Sequence, residues 1–301
     1  MNRMERKKNM EIRVGKTAGF CYGVKRAVEG AKEELKKNET LYGLGEIVHN
    51  QEVIKELENL GMQFIKDIGE AKGKTIIRAH GIPKQIYEEA KEKQIEIMDY
   101  TCPKVLKIHQ IAEEYTNKGY YIFLLGSKTH PENIGTLSYC GDNKSVIEKE
   151  EDVIKALESL GKSGIEKLLV ISQTTYSLEK FYIIEEMIKN EIPRNIELVI
   201  KNTICQATEI RQKETEEMAK QVDCMIVIGG KNSSNTRKIY EIAKQYCKTI
   251  LWIENETELV LDKIKSTDKV GIMAGASTPK ESIEKVVKKL NVEFCDEKYK
   301  K

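Results

Sequence analysis

One pattern recurs three times along this chain and restricts what it can fold into: a short β-leaning run, a cysteine, and then a helix. The runs are EIRVGKTAGFC before YGVKRAVEGAKEEL, IEIMDYTC before PKVLKIHQIAEEY, and ELVIKNTIC before QATEIRQKETEEMAK. The first half of each leans to strand. The second half carries apolar residues at helical spacing with charges between them. Pro103 stands where a helix would begin, which its locked φ favours. A second strand ending in glycine follows each time, in TLYGLG, YYIFLLG and CMIVIGG. Gly45, Gly126 and Gly229 follow Cys21, Cys102 and Cys205 at one identical interval. Beyond these glycines, again in equal steps, stand first His49, His130 and Ser233, and then Gln51, Glu132 and Asn235. A third strand, in TIIRAHG, LLVISQTT and VGIMAGAST, ends in His80, Thr174 and Ser277. Thr174 and Ser277 lie equally far past their cysteines, and His80 lies nearer to its own, so the first module is shorter. Self-similarity at fixed spacing marks a repeated structural unit.

Strand–loop–helix in repetition predicts an α/β fold of three pseudo-equivalent small modules, with mostly parallel sheets and crossover helices. The modules are expected at 22–101, 102–204 and 205–292. The strand within 10–21 has no module before it, so it is expected to complete the sheet of the third. In such sheets ligands bind beyond the carboxyl ends of the strands. The three cysteines and all nine polar positions lie at those ends, and the simplest assembly points the modules at one centre.

The surroundings of the cysteines bear on what they do. Seven cysteines, an odd number widely spaced in 301 residues, argue against a disulfide framework. Met1 to Met10 is charged and lacks an apolar core, so it does not read as a signal peptide. The longest apolar runs, such as Tyr120 to Leu125, are far too short to cross a bilayer. The expected setting is the reducing cytosol, away from membranes. Fifty Lys and Arg face 48 Asp and Glu, a net charge of +2 that gives nucleic-acid binding no support. Three thiolates at strand ends, each followed by a helix N-terminus, form a soft-metal site. The chain has no CxxC pair, which argues against a zinc finger. Ligands spread over three modules suit one iron–sulfur cluster on Cys21, Cys102 and Cys205. A [4Fe–4S] cluster normally takes four cysteines, so three leave one iron open to an oxygen ligand. Cys140, Cys224, Cys247 and Cys295 do not fit the repeat, and Cys224 lies in an apolar strand and reads as core.

His49, His80 and His130 are three of only four histidines. With Ser233, Asn235 and Ser277 they offer hydrogen-bond donors around helix starts, which makes a receptor for an anion such as a phosphorylated substrate. His109, well inside its helix, reads as structural. Glu132 is the one acid among Gln51, Glu132 and Asn235. It can deliver a proton from a partly dry pocket, or serve as a helix-start carboxylate paired to a nearby N–H. Thr174 can place its hydroxyl against a substrate or cap a helix.

Together these residues resemble the LytB/IspH family, the 4-hydroxy-3-methylbut-2-enyl diphosphate reductases. The resemblance runs from about Met10 to Val292 through GFCYGVKRAV, EIVHN, RAHG, DYTCP, GSKTHPE, SQTT, NTICQAT, GKNSSN and AGASTP, in the family's order. It implies a trefoil of three α/β domains around a [4Fe–4S] cluster held by Cys21, Cys102 and Cys205. It implies a diphosphate pocket of His49, His80, Ser233, Ser234, Asn235 and Ser277, with His130 lining the same cavity. Glu132 takes the place of the essential proton donor, and Thr174 that of the residue ordering the substrate hydroxyl. The implied reaction is a two-electron reductive dehydroxylation giving isopentenyl and dimethylallyl diphosphate, the last step of the non-mevalonate isoprenoid route. Tyr100 is bulkier than the resemblance leads one to expect. The charged ends of the chain, up to residue 10 and from Glu293, fall outside it.

The sequence shows no GxGxxG dinucleotide motif and no flavin motif, so the electrons are expected from a partner such as a ferredoxin or a flavodoxin. Competing readings are a quinolinate synthase-like cluster enzyme, a zinc-stabilised binding module, and an iron–sulfur sensor of nucleic acid. The first calls for a pocket arginine, and only Arg78 stands near a site position.

Overall fold

A computed structural model describes residues 10–37, 40–265 and 268–295. The charged first nine residues, the tail from Asp296 and the side chain of Cys295 lie outside the described residues. Twelve strands alternate with helices along the described chain. The strands are β1 (Glu11–Val14), β2 (Leu41–Leu44), β3 (Met62–Ile65), β4 (Thr75–Ile77), β5 (Ile97–Asp99), β6 (Tyr121–Leu125), β7 (Lys144–Ile147), β8 (Lys167–Ser172), β9 (Glu197–Ile200), β10 (Cys224–Ile228), β11 (Thr249–Ile253) and β12 (Lys269–Ala274). The helices that matter for the site are α1 (Tyr22–Leu35), α2 (Gln51–Asn59), α4 (Pro103–Asn117), α5 (Pro131–Leu137), α8 (Gln206–Ala219) and α9 (Ser234–Tyr246). The others are α3 (Lys84–Glu92), α6 (Asp152–Ser163), α7 (Leu178–Glu191) and α10 (Lys280–Leu290).

The strands form three sheets of four, ordered β3-β2-β4-β5, β7-β6-β8-β9 and β11-β10-β12-β1. Every pairing is parallel. The three orders are one topology. The second strand of each module lies outside the first, the third lies on the other side, and a fourth closes the edge. For the third sheet that fourth strand is β1, with Glu11 opposite Lys269 and Val14 opposite Ile272. Parallel strands need crossovers, which is why a helix or long connection separates each strand from its neighbour. The chain turns back across the sheet between the first and third strands of each module, and such switch points open a crevice at the strands' carboxyl ends.

The sheets are apolar on both faces, as parallel sheets covered on both sides require. Phe123 and Leu125 of β6 pack into one cluster with Val153 and Phe181, while Ile122 and Leu124 face another with Ile108 and Ala112. In β10, Ile226 and Ile228 face one cluster and Met225 and Val227 the other. This alternation is the period of two that a strand imposes. Phe123 is fully buried, and such a side chain contributes roughly 2–3 kcal/mol through removal from water.

The described residues divide into two compact units. One runs to Cys21, takes up His49–Val53 and resumes from Ala207. The other comprises Tyr22–Val48 and Ile54–Gln206. Among the described residues no helix is long and apolar enough to cross a membrane.

Candidate functional site

Each of the three cysteines is the residue immediately before a long helix, α1, α4 or α8. Their backbones are held alike. The N–H of Cys21 donates to the carbonyl of Ala276 at 3.2 Å, that of Cys102 to Ala79 at 3.0 Å, and that of Cys205 to Thr174 at 2.9 Å. Those acceptors sit in equivalent turns past the third strand of a module. The turns are closed by Gly81 N–H to Arg78 O, Tyr176 N–H to Gln173 O, and Thr278 N–H to Gly275 O, at 3.0, 3.0 and 3.1 Å. The glycines after the first strands are also equivalent. Gly45, Gly126 and Gly229 donate to Ile65, Ile147 and Ile253, the last residues of β3, β7 and β11, at 2.8, 2.9 and 2.9 Å. Their φ angles of 68°, 153° and 144° favour a residue without a Cβ.

This bonding corrects three equivalences drawn from spacing. In the turns, Thr174 matches Ala79 and Ala276, so the partner of His80 and Ser277 is Thr175. The equal spacing of Thr174 and Ser277 from their cysteines is one residue out as a structural match, because the second module carries one more residue than the third between its cysteine and this turn. In the first module the loop leading into α2 is likewise one residue longer. His130 and Ser233 are helix caps: His130 Nδ1 accepts from the Glu132 N–H at 3.2 Å, and Ser233 Oγ accepts from Thr236 at 3.3 Å. The matching cap of α2 is Asn50, whose Oδ1 accepts from Glu52 and Val53 at 3.0 and 3.2 Å. His49 precedes the cap. Glu52, not Gln51, therefore matches Glu132 and Asn235, and Glu132 is not the only acid of its set. The two acids differ in surroundings. Glu52 is half-buried and accepts from the Ser282 hydroxyl at 2.8 Å, whereas Glu132 is 1% exposed.

Within the unit that holds them, His80 and His130 meet edge to face with ring centroids 5.3 Å apart. Because Nδ1 of His130 accepts a bond, its neutral ring carries the proton on Nε2. In the other unit the Ser277 hydroxyl donates to the His49 carbonyl at 3.3 Å. Gly230 admits that carbonyl closely, since a Cβ there would lie 2.4 Å from the oxygen. Ser233, Asn235 and Ser277 are buried and Ser234, the first residue of α9, is half-buried. The side-chain nitrogen of Asn235 is buried and donates to no atom of the described chain. A buried donor left so calls for an acceptor from outside the chain.

Glu132 stands in the first turn of α5, yet its carboxylate reaches away from its own helix. Oε1 accepts from the Thr174 backbone N–H and Oε2 from the Thr174 hydroxyl, both at 2.6 Å. Of the two roles open to Thr174, capping is not the one seen. Burial pushes the Glu132 carboxyl up to about 7, and the two bonds from Thr174 hold it back from rising further. At neutral pH this group is thus both a carboxylic acid and a carboxylate in comparable amounts. Thr174→Val removes the hydroxyl bond, so the titration of Glu132 should move to higher pH. The carboxylic C=O band in infrared difference spectra, followed against pH, measures that shift.

The remaining described cysteines have different surroundings. Burial pushes Cys140 and Cys224 up to about 12, and raises Cys247 as well. They are thiols filling the core, whereas Cys21, Cys102 and Cys205 are half-buried at helix starts. His109 is buried and stacked on Tyr139 at 4.5 Å, and desolvation brings it down to about 4, so it stays neutral. The bulk of Tyr100 is accommodated by Gly30 of α1, where a Cβ would lie 2.2 Å from the tyrosine oxygen. Arg78 lies against Gly45 and donates to the Glu46 carbonyl at 3.4 Å.

The chain matches the LytB protein family over residues 12–291. It is 44% identical over 287 residues to the 4-hydroxy-3-methylbut-2-enyl diphosphate reductase of Caldanaerobacter subterraneus subsp. tengcongensis, covering 93% of this chain and 96% of that one. To the enzyme of the same name from Clostridioides difficile it is 40% identical over 281 residues, covering 92% and 98%. Among solved structures it is similar to (E)-4-hydroxy-3-methyl-but-2-enyl diphosphate reductase, described as the terminal enzyme of the non-mevalonate pathway. The TM-score is 0.68 at 39% identity, over 94% of this chain and 99% of that one. It is also similar to the E-1-hydroxy-2-methyl-but-2-enyl-4-diphosphate reductase of Plasmodium falciparum, with a TM-score of 0.86 at 32% identity, over 97% and 90%. A family match over nearly the whole described length, with the motif residues standing at three equivalent strand ends, leads to one conclusion: the chain belongs to the LytB family.

Proposed function

We infer that this chain reduces 4-hydroxy-3-methylbut-2-enyl diphosphate to isopentenyl and dimethylallyl diphosphate, on an iron–sulfur cluster held by Cys21, Cys102 and Cys205. The observation that carries the reading is the threefold equivalence of those cysteines. Each is half-buried, starts a helix, and gives its N–H to the same turn of its frame. The donor set fits a soft metal centre, because helix N-termini favour thiolates and thiolates take zinc, copper(I) or an iron–sulfur cluster, of which a cluster best spans ligands from three modules. The other described thiols are raised by burial and do not compete. The modules 22–101, 102–204 and 205–292, the last with 10–21, would stand as a trefoil about that centre.

The reaction takes in two electrons and two protons and releases the hydroxyl as water. When bound, a [4Fe–4S] cluster with three cysteine ligands supplies the electrons and a Lewis-acidic iron. The chain's own residues do the rest. His49, His80, Ser233, Ser234, Asn235 and Ser277 hold the diphosphate, with His130 beside them, and the orphaned amide of Asn235 is the donor that most needs that anion. Held at its charged end, the substrate presents its hydroxyl to Thr174 and Glu132. Glu132 delivers the proton to the departing oxygen, either directly or through the Thr174 hydroxyl it already bonds. The electrons arrive from a carrier such as a ferredoxin or flavodoxin in the cytosol, without nucleic acid or membrane.

The test is anaerobic purification and oxidation of reduced viologen dye upon addition of 4-hydroxy-3-methylbut-2-enyl diphosphate. Rapid oxidation by brown, iron-loaded protein supports the reading. Iron-loaded protein that leaves the dye reduced sinks the substrate assignment, and a colourless zinc protein sinks the cluster.

A further inference from the structure

Two arginines stand at like positions on the cysteine helices, and each grips a loop that enters a different cysteine. Arg211 of α8 lies in the second turn past Cys205. It is 4% exposed and clasps the loop running into Cys21. Its Nε and Nη2 donate to the Thr17 carbonyl at 2.8 and 2.6 Å, and Nη2 donates to the Gly19 carbonyl at 2.8 Å. One turn further along the same helix, Glu214 accepts from the backbone N–H groups of Lys16 and Thr17 at 2.6 and 2.9 Å, and from the Thr17 hydroxyl. The loop is thus held by its carbonyls and by its N–H groups, from one helix face.

Arg26 of α1, in the second turn past Cys21, holds the loop running into Cys102 through a single nitrogen and longer bonds. Its Nη2 donates to the carbonyls of Asp99 and Thr101 at 3.4 and 3.1 Å, and its guanidinium lies over the Tyr100 ring, 5.5 Å from the centroid. Gly23, one turn before it, leaves room for Cys102 itself: a Cβ there would lie 3.0 Å from the sulfur. The loop into Cys205 is tied by other means, since the Thr203 hydroxyl donates to the Ser172 carbonyl at 2.6 Å and accepts from the Ser172 N–H at 2.7 Å.

We propose that Arg211 and Arg26 are positioning residues for the metal centre: the helix that leaves one cysteine sets the loop, and hence the sulfur, of another. The inference rests on the cluster reading above. A guanidinium suits this task because its planar fork fixes two carbonyls at once. A loop carbonyl pair so fixed leaves the following cysteine little freedom, and the sulfur is in place before iron arrives. Loosening one clasp frees one sulfur, and a cluster with one labile ligand sheds iron. A helical arginine with a merely structural role would lower stability without singling out the metal.

The anaerobic holoenzyme tests this. Iron release to excess ferrous chelator and the thermal midpoint are measured for wild type, Arg211→Met, Arg211→Lys, Arg26→Met and Ile226→Val. The last trims the core of the third sheet without touching a cysteine loop. Arg211→Met and Arg26→Met should release iron at least about tenfold faster than wild type, as losses behind metal ligands do. Arg211→Lys, which cannot hold both carbonyls in one plane, should fall between. Ile226→Val should lower the midpoint and leave iron release unchanged. Release from the arginine variants at the wild-type rate overturns the proposal and leaves the cluster reading standing. Release that follows the midpoint in all variants, Ile226→Val included, also overturns it. If Arg211→Met does not fold, Arg211→Lys decides by the same criterion. A wild-type protein that takes up no iron overturns the cluster reading, and the clasp with it.

Discussion

Replacing Glu132 by glutamine is expected to lower turnover by about 10²–10⁴-fold while bound iron stays at the wild-type level. The amide keeps the size of the carboxyl and accepts one of the two bonds from Thr174, so the fold is undisturbed, but it has no proton to give. The pH dependence is a second readout. Burial raises this carboxyl from its ordinary 4.5 to about 7. Between those values the folded protein holds a proton that the unfolded chain has released, so stability falls as pH rises through that window. The total is on the order of 3 kcal/mol. The acid needed for proton delivery is lost over the upper end of the same window. Turnover limited by that step should therefore be level below about pH 6 and fall towards tenfold per unit above about pH 8, since the group is half-protonated near 7. Glu132→Gln should lack both the fall in stability and the alkaline limb. Rate–pH profiles with the viologen assay and urea titrations at several pH values measure the two effects. A glutamine variant that retains the wild-type rate removes Glu132 from proton delivery.

Serine at Cys21, Cys102 or Cys205 is expected to strip most of the iron and to reduce turnover by at least about 100-fold, because an alkoxide is not available at neutral pH where a thiolate is. Serine at Cys247 should leave both near wild type. The Cys247 thiol already points at backbone carbonyls of Asp223 and Thr249, 3.5 and 3.3 Å away, which a hydroxyl can bond equally. Serine at Cys224 buries a hydroxyl in a sheet core, so it should cost stability first and iron only through unfolding. Iron per chain, visible absorbance and urea midpoints separate these cases. If Cys247→Ser loses iron as Cys102→Ser does, the assignment of ligands from the repeat fails.

Much of this architecture was legible in the chain itself. Period-two apolar runs, glycines at a constant interval from their cysteines, and cysteines ahead of amphipathic stretches specify parallel sheets with functional groups at their carboxyl ends. The pairing of β1 with β12 also follows, because the third module is the only one of the repeat without a fourth strand of its own after its third. Intervals that cross loops do not carry structural equivalence. A loop can gain a residue without changing the strands it joins, so His49 was aligned with helix caps when Asn50 is the cap. Thr174 was aligned with Ser277 when its carbonyl is the one that receives a cysteine N–H.

What the sequence determined alone is therefore what local periodicity and covalent order dictate: which segments are strands, which cysteines precede helices, and which residues end up at strand ends. What only the tertiary structure decided is which groups meet across the fold. The carboxyl of Glu132 is closed on Thr174, far along the chain, and nothing local marks it as dry. Arg26 and Arg211 look like ordinary charged helix residues until packing turns them onto the loops at 99–101 and 17–19. Burial and long-range hydrogen bonding are properties of packed neighbours. They shift a proton affinity or fix a sulfur, and only the folded chain assembles those neighbours.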